Sequence, residues 1–337
     1  MPPFADPPRL TKPKKRNIIE KKNGKEENND PMKLYPLRLS AVCKSPIWGG
    51  TRLLKGWHIP SDAPTVGEAW VYTNRSAEQS VVQNGELAGR AVRELLPDSA
   101  FPLLIKLIDA GDRLSVQVHP DDAYAARVEN DRGKTEMWYI LEAEPGASLL
   151  FGLRPGFTAA DFAEAVRAGD PLRALNSQPV KPGETYFIPA GMPHAIGRGI
   201  LLAEIQQNCD LTYRVYDYDR TDAQGNKRQL HLGKALEVVR PFTQKEMDDI
   251  RFARAKENRP ENLLADCPYF RVERLDCARG VELPSKPDWS HLLCVAGEGT
   301  LSSDAGTEPI SKGDSILLPP EVPCRLTGNA TILYSTL

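Results

Sequence analysis

Leu114–Trp138 reads LSVQVHPDDAYAARVENDRGKTEMW, which parses as a short strand, a proline stop, a short helix and the opening of a second strand. In an extended strand successive side chains point to opposite faces, so Gln117 and His119 project together while Val116 and Val118 turn the other way. Pro120 has no N–H to give to a sheet ladder and closes the strand, and Asp121 or Asp122 can cap the helix that follows. Glu136 stands where the chain enters the apolar run WYIL. A further imidazole, His194, comes much later in KPGETYFIPAGMPHAIG, just after a turn at Pro189-Ala190-Gly191 that re-aims the backbone. Gln117, His119, Glu136 and His194 make an N2O2 donor set suited to a borderline divalent ion such as zinc.

The 337 residues suffice for two cores, and 41% hydrophobic content is that of a globular protein. With 43 basic and 45 acidic residues the net charge is only -2, and no basic stripe is present to follow a nucleic-acid backbone, so no nucleic-acid partner is expected. Six cysteines without a C-x-x-C pair read as reduced thiols of a cytoplasmic protein. There is no apolar run of membrane-spanning length and no secretory h-region, so no membrane partner is expected.

Residues 1–31 form a lysine-rich leader with little to bury, expected to be disordered, with a sensible first strand beginning at Met32. Residues 32–250 read as the first domain, mainly β, with a helical insertion at about 158–178 and a closing helix from Leu232 to Val239. Trp48-Gly49-Gly50 reads either as packing or as a close approach to a ligand. Lys106, inside LLIKLI, must snorkel or meet an anion. Arg214 shares a strand face with Thr212 and Tyr216, which leaves open a solvent-facing role or a polar cavity that Asp210 and Lys134 would share. His58, His231 and His291 read as ordinary hydrogen-bonded residues.

From 262 to 337 the pattern is short strands and turns, and it contains an echo. SKGDSILLPPEVPCRL (311–326) aligns without gaps on KPGETYFIPAGMPHAI (181–196), with Cys324 at the position of His194. HLLCVAGEGTL likewise echoes WYILEAEPGASL, and no carboxylate falls where Glu136 stands. This second unit keeps the turns and loses the ligands.

With PIWGGTRL, GEAWVYTNR, LSVQVHPDD, GKTEMWYIL, YFIPAGMPHAIG and EIQQNCDLTYRVYDYDR in order, the chain from about Leu34 to Leu337 resembles the type I mannose-6-phosphate isomerases in their short bacterial form. The resemblance implies a cupin-type β-barrel catalytic domain with a helical insertion, followed by a smaller, degenerate cupin-like β domain. It implies interconversion of mannose 6-phosphate and fructose 6-phosphate through an enediol, with one Zn2+ per chain on Gln117, His119, Glu136 and His194. Arg214, Lys134 and Asp210 take catalytic positions, and Lys106, Lys134 and Glu204 line the substrate pocket. The proton-transferring base stays open among Lys134, Asp210 and Glu204. Some longer family members carry a histidine where this chain has Gly133, so that position passes on no role. A small phosphosugar is the expected partner, and the protein is expected as a monomer or homodimer. Two other readings compete: a cupin metal oxygenase, since two histidines and a carboxylate also suit non-haem iron, and a non-catalytic sugar-phosphate-binding regulator.

Overall fold

Two strands, Leu103–Ala110 (LLIKLIDA) and Ile200–Gln207 (ILLAEIQQ), are buried along their whole length, and the layering of the chain explains why. They pair with each other at the centre of a six-stranded sheet that also contains Val42–Lys44, Glu68–Tyr72, Glu136–Ala143 and Thr185–Ile188. One face of this sheet looks toward a five-stranded sheet of Val116–Val118, Ser148–Leu153, Leu175–Pro179, His194–Ile196 and Tyr213–Tyr216. Between them lies a core of Trp138, Ile140, Ile188, Ile196, Ile200 and Leu202. The opposite face packs through Leu103, Ile105, Leu107, Ala203 and Ile205 on Val272, Leu293, Leu317 and Leu333 of the C-terminal half. A sheet covered on both sides has no solvent face, so its central strands read as continuous apolar runs.

The computed structural model describes residues 34–57, 59–222, 224–255 and 259–337, and Leu34–Leu337 forms one unit. The expected leader disorder, the start at Met32 and His58 lie outside the described residues. A second six-stranded sheet, built from Leu263–Asp266, Arg271–Asp276, Ser290–Ala296, Ser315–Leu318, Thr331–Thr336 and the early strand Leu37–Arg38, faces a four-stranded one. Leu37 pairs with Leu317, so the first described strand crosses into the C-terminal sheet. The expected class, mainly β with a cupin-type arrangement, is therefore the one observed.

Helices cover the outer face of the five-stranded sheet. Ala159–Arg167 starts at a Thr158 cap whose side chain and Asp161 bond each other's backbone, and it lays Phe162, Ala165 and Val166 inward. Leu232–Val238 adds Ala235 to the same cluster. A further helix, Gln244–Arg251, lies beyond the expected closing helix, in a stretch for which no element was expected. Its signal was Thr243-x-x-Glu246, a capping box with both reciprocal bonds present.

Candidate active site

Strand register gathers the expected ligands. Gln117 is paired with His194 on one side and with Arg214 on the other, so the three form a row across neighbouring strands on one face of the five-stranded sheet. On the facing sheet Glu204 is paired with both Lys106 and Trp138, and Glu136 lies two residues from Trp138 on the same face. The two rows look at each other across the inter-sheet space.

Each expected ligand is aimed by its local chain. Asp121 caps the helix Asp122–Val128 by accepting from the Tyr124 N–H at 2.8 Å, which stops the strand just beyond His119. Gly191 has φ of +90°, and its N–H bonds the His119 carbonyl at 2.8 Å, so the Pro189-Ala190-Gly191 turn ties His194 to the end of the other histidine's strand. A Cβ at Gly191 would also meet the Val238 carbonyl oxygen at 2.9 Å. Lys134 enters from a loop pinned by its own N–H to the Pro120 carbonyl at 3.0 Å and by Gly133 N–H to Asp122 Oδ1 at 2.8 Å. A Cβ on Gly133 would stand 2.5 Å from the Asp122 nitrogen, so no histidine fits there.

His119, Glu136 and His194 are almost wholly buried, at 1%, 0% and 0% exposure, and among the described residues they form a group whose ligand atoms lie within 4.8 Å of one another. His119 Nδ1 faces the Leu211 carbonyl at 2.8 Å and His194 Nδ1 faces that of Met192 at 2.8 Å, so both Nδ1 atoms carry the proton and both Nε2 lone pairs turn inward. The Nε2 atoms approach the two Glu136 oxygens at 3.5 Å each, and Gln117 Nε2 lies 3.3 Å from His194 Nε2. Glu136 Oε2 is ion-paired with Lys134 Nζ at 3.2 Å, and Oε1 has no hydrogen-bond partner. Burial, and then Lys134, hold His119 well below the ordinary imidazole value, and burial lowers His194 to about 4. Two neutral imidazoles and a carboxylate, buried together, with a half-buried amide beside them, fit a divalent metal ion.

Gln117 and Lys134 also line a cavity of about 330 Å³, whose walls include Lys106, Glu204, Asp210 and Arg214. Lys106, 3% exposed, has met two anions: Glu204 Oε1 at 3.2 Å and Glu68 Oε2 at 3.3 Å. Burial opposes its charge, but Glu68 and then Glu204 overcome this and raise its pKa. Burial pushes the Glu204 carboxyl up, yet Lys106 and Lys134 outweigh it and keep the group acidic. Trp138 Nε1 donates to Glu204 at 2.9 Å. Arg214 is held by Ser115 Oγ at 3.2 Å and by the Gln229 carbonyl at 2.9 Å, while Asp210 stands exposed at the cavity edge. All nine expected site residues thus belong either to the buried cluster or to the cavity wall.

Other wall residues were not among the nine expected site residues. Trp48 lines the cavity, whereas Gly49 and Gly50 bridge to Ala110 and Val66 and serve packing. Glu68 gave no sign in GEAW that it would face Lys106, because its register on Ile108 is set only by strand pairing. Arg228 and His231 are cavity residues as well, His231 accepting the Arg214 N–H at 3.2 Å. His291 is a hydrogen-bonded core residue, as expected, with Nε2 2.8 Å from Ser315 Oγ. All six cysteines are free.

Residues 36–145 match the family model "Phosphomannose isomerase type I, catalytic domain", and residues 261–337 match "Mannose-6-phosphate isomerase, cupin domain". Mannose-6-phosphate isomerase ManA of Bacillus subtilis (strain 168) is 38% identical over 300 residues, covering 86% of this chain and 94% of that protein. Mannose-6-phosphate isomerase of Streptococcus mutans serotype c is 36% identical over 296 residues, 84% of this chain and 92% of its own. The crystal structure of mannose 6-phosphate isomerase from Bacillus subtilis superposes with a TM-score of 0.79 at 31% identity, covering 90% of this chain and 99% of that one.

Proposed function

The chain belongs to the type I phosphomannose isomerases and is a mannose-6-phosphate isomerase, and from that premise we propose that it works with one Zn2+ held by Gln117, His119, Glu136 and His194 and moves the substrate proton through an enediol. The observation that carries the reading is the pair of inward Nε2 lone pairs facing a fully buried Glu136, whose only cationic neighbour within 4 Å among the described residues is Lys134 at 3.2 Å. When bound, zinc supplies Lewis-acid polarisation of the substrate oxygens at C1 and C2.

Aldose–ketose interconversion shifts a proton between C2 and C1 and places negative charge on O1 or O2. Arg214, one strand from Gln117, is positioned to stabilise that charge. Lys134, Asp210 and Glu204 stand around the cavity as the groups able to carry the proton. Glu204 is held anionic by its two lysines, and Lys106 orients it while offering N–H donors to substrate hydroxyls. The phosphate takes the end of the cavity marked by Arg228, so that binding energy remote from the reacting carbons orients them. In this reading residues 32–250 carry the chemistry and 262–337 form a β unit without ligands.

Family membership favours isomerisation over the oxygenase and regulator readings. No described helix is long and apolar enough to cross a membrane, and we place the enzyme in the cytoplasm as a monomer or homodimer. Purified chain assayed for fructose 6-phosphate formation should lose at least about a hundredfold in rate on chelation and regain it with zinc. Full activity in chelated, metal-free protein would sink the zinc reading, and no turnover by metal-loaded, folded protein would sink the whole assignment.

A further inference from the structure

The end of the run EIQQNCDLTYRVYDYDR, residues 216–220, has no part in the reaction above, yet it contains the least ordinary backbone of the catalytic half. Tyr218 and Asp219 are consecutive non-glycine residues with φ of +56° each. Left-handed backbone at side-chain-bearing residues persists only where surrounding contacts enforce it. Here Arg113 stacks on the Tyr218 ring at 4.0 Å and Arg220 lies at 5.3 Å from the same ring, with Arg220 Nη1 also 3.2 Å from Asp112 Oδ2.

The turn delivers a carboxylate. Asp217 is 5% exposed, and its Oδ1 accepts from Arg220 Nη2 at 2.6 Å. The same carboxylate takes the Arg228 guanidinium as a fork, Oδ2 accepting from Nε at 2.8 Å and Oδ1 from Nη2. Between them the chain doubles back as a hairpin, bridged at Thr221 and Lys227 and tightened by Asp222, which accepts the N–H groups of Gln224 and Asn226. Just past Arg228, the Gln229 carbonyl receives Arg214 Nη1. One hairpin therefore holds both cavity guanidiniums, Arg228 by its side chain and Arg214 through the backbone.

Two like charges do not hold such an arrangement unaided. Burial lowers the Arg214 pKa and Arg228 adds to it, which marks the two cations as close neighbours at one wall. A long, flexible arginine repelled by its neighbour and free to reach solvent would swing out. Asp217 prevents this by bidentate pairing.

We infer that Asp217 is a positioning residue for phosphate recognition: braced by Arg220 across the Tyr218–Asp219 turn, it fixes Arg228 beside Arg214 and so sets affinity for the phosphorylated end of the substrate. The inference rests on the phosphosugar reading of the cavity. Asp217 touches neither the metal cluster nor the reacting carbons, so its removal acts on binding and spares the chemical step.

The test is steady-state kinetics of the zinc-loaded full chain on mannose 6-phosphate, with inorganic phosphate as a competitive probe. Asp217→Asn should raise KM and the phosphate Ki together by about tenfold while kcat stays within about threefold. Asp217→Glu, which retains the charge, should recover part of that loss. Arg228→Gln should reproduce the KM effect, and the double variant should be no worse than Arg228→Gln alone, because the two residues act as one unit. Unchanged KM and Ki in folded Asp217→Asn would overturn the inference, as would a fall in kcat at constant KM or an additive double variant. If Asp217→Asn does not fold, unchanged KM and Ki in Arg228→Gln overturn it equally. If the wild-type chain turns over no mannose 6-phosphate, the isomerase assignment fails by itself, and calorimetric phosphate binding to wild type and Asp217→Asn still decides the role of Asp217.

Discussion

Over Lys181–Ile196 and Ser311–Leu326 the two β units carry one strand–turn–strand with two different interiors. Gly183 and Gly313 both have left-handed φ, +88° and +99°, and each turn is closed by its acidic residue, Glu184 accepting the Lys181 N–H at 2.8 Å and Asp314 the Ser311 N–H at 2.7 Å. Gly191 (φ +90°) donates to the His119 carbonyl and Glu321 (φ +62°) to that of Lys286, each at 2.8 Å. Even the next contact recurs, His194 Nδ1 on Met192 O and Cys324 Sγ on Val322 O. The side chains then part company. The pair Gln117–His194 becomes Leu283–Cys324, and the pair Glu204–Trp138 becomes Tyr334–Leu292. Glu136, paired with Ile188, corresponds to Ser290, paired with Leu318. In the second unit these positions belong to, or border, an apolar cluster. Backbone turns thus specify the fold, while buried charge is an added load, costly in desolvation, that only a ligand-binding interior needs.

The comparison breaks first at the cluster of His119, Glu136 and His194. Glu136→Ser writes the second unit's residue into the first and should lower turnover by roughly 10²–10³-fold or more, with metal content falling in parallel. Metal analysis alongside the rate would show whether the carboxylate is needed for binding; retained metal and activity would end the ligand assignment. Next comes the buried pair. Lys106→Met should cost about 2–4 kcal/mol of unfolding free energy by leaving buried Glu204 with Lys134 and Trp138 as its remaining partners, whereas Lys106→Met with Glu204→Leu should regain most of it, with activity absent in both. Denaturant melts distinguish the two outcomes.

The second unit has its own buried imidazole. His291, fully buried, has its pKa lowered by desolvation to about 3. The unfolded chain takes up that proton near pH 6.5 and the folded chain only near 3, so stability is lost as pH falls between those values, by up to a few kcal/mol. His291→Gln should flatten this acid limb in unfolding measurements at pH 7 and 4.5, and an unchanged slope would place the acid sensitivity elsewhere. The smallest effects belong to the shared turn. Gly191→Ala should destabilise by about 1–2 kcal/mol, since left-handed backbone penalises a Cβ, while Glu321→Gly should be neutral or stabilising by up to about 1 kcal/mol.

How much of this was legible depends on distance along the chain. The alternation that puts Gln117 and His119 on one face, the proline stop, the Asp121 cap and the glycine turn before His194 are local, and the sequence alone contains their causes. The echo at 311–326 was likewise visible as text. Its partner strand was less secure: the gap-free alignment of HLLCVAGEGTL places Trp289 opposite Glu136, whereas pairing with Leu318 places Ser290 there. A shift of one residue exchanges the faces of a strand, and only hydrogen-bonded partners fix it. The Gln244–Arg251 helix was announced by its capping box, and its charged exposed face obscured that signal.

Sequence by itself therefore determined the donor types, the strand-and-turn grammar and the repeat, because each follows from φ/ψ limits and side-chain alternation within a few residues. Tertiary structure alone decided that Lys106 meets Glu68 and Glu204, that Leu37–Arg38 crosses to the C-terminal sheet, and that Asp217 grips Arg228. These are choices among partners distant in the chain, made by register, burial and charge pairing, and no local pattern encodes them.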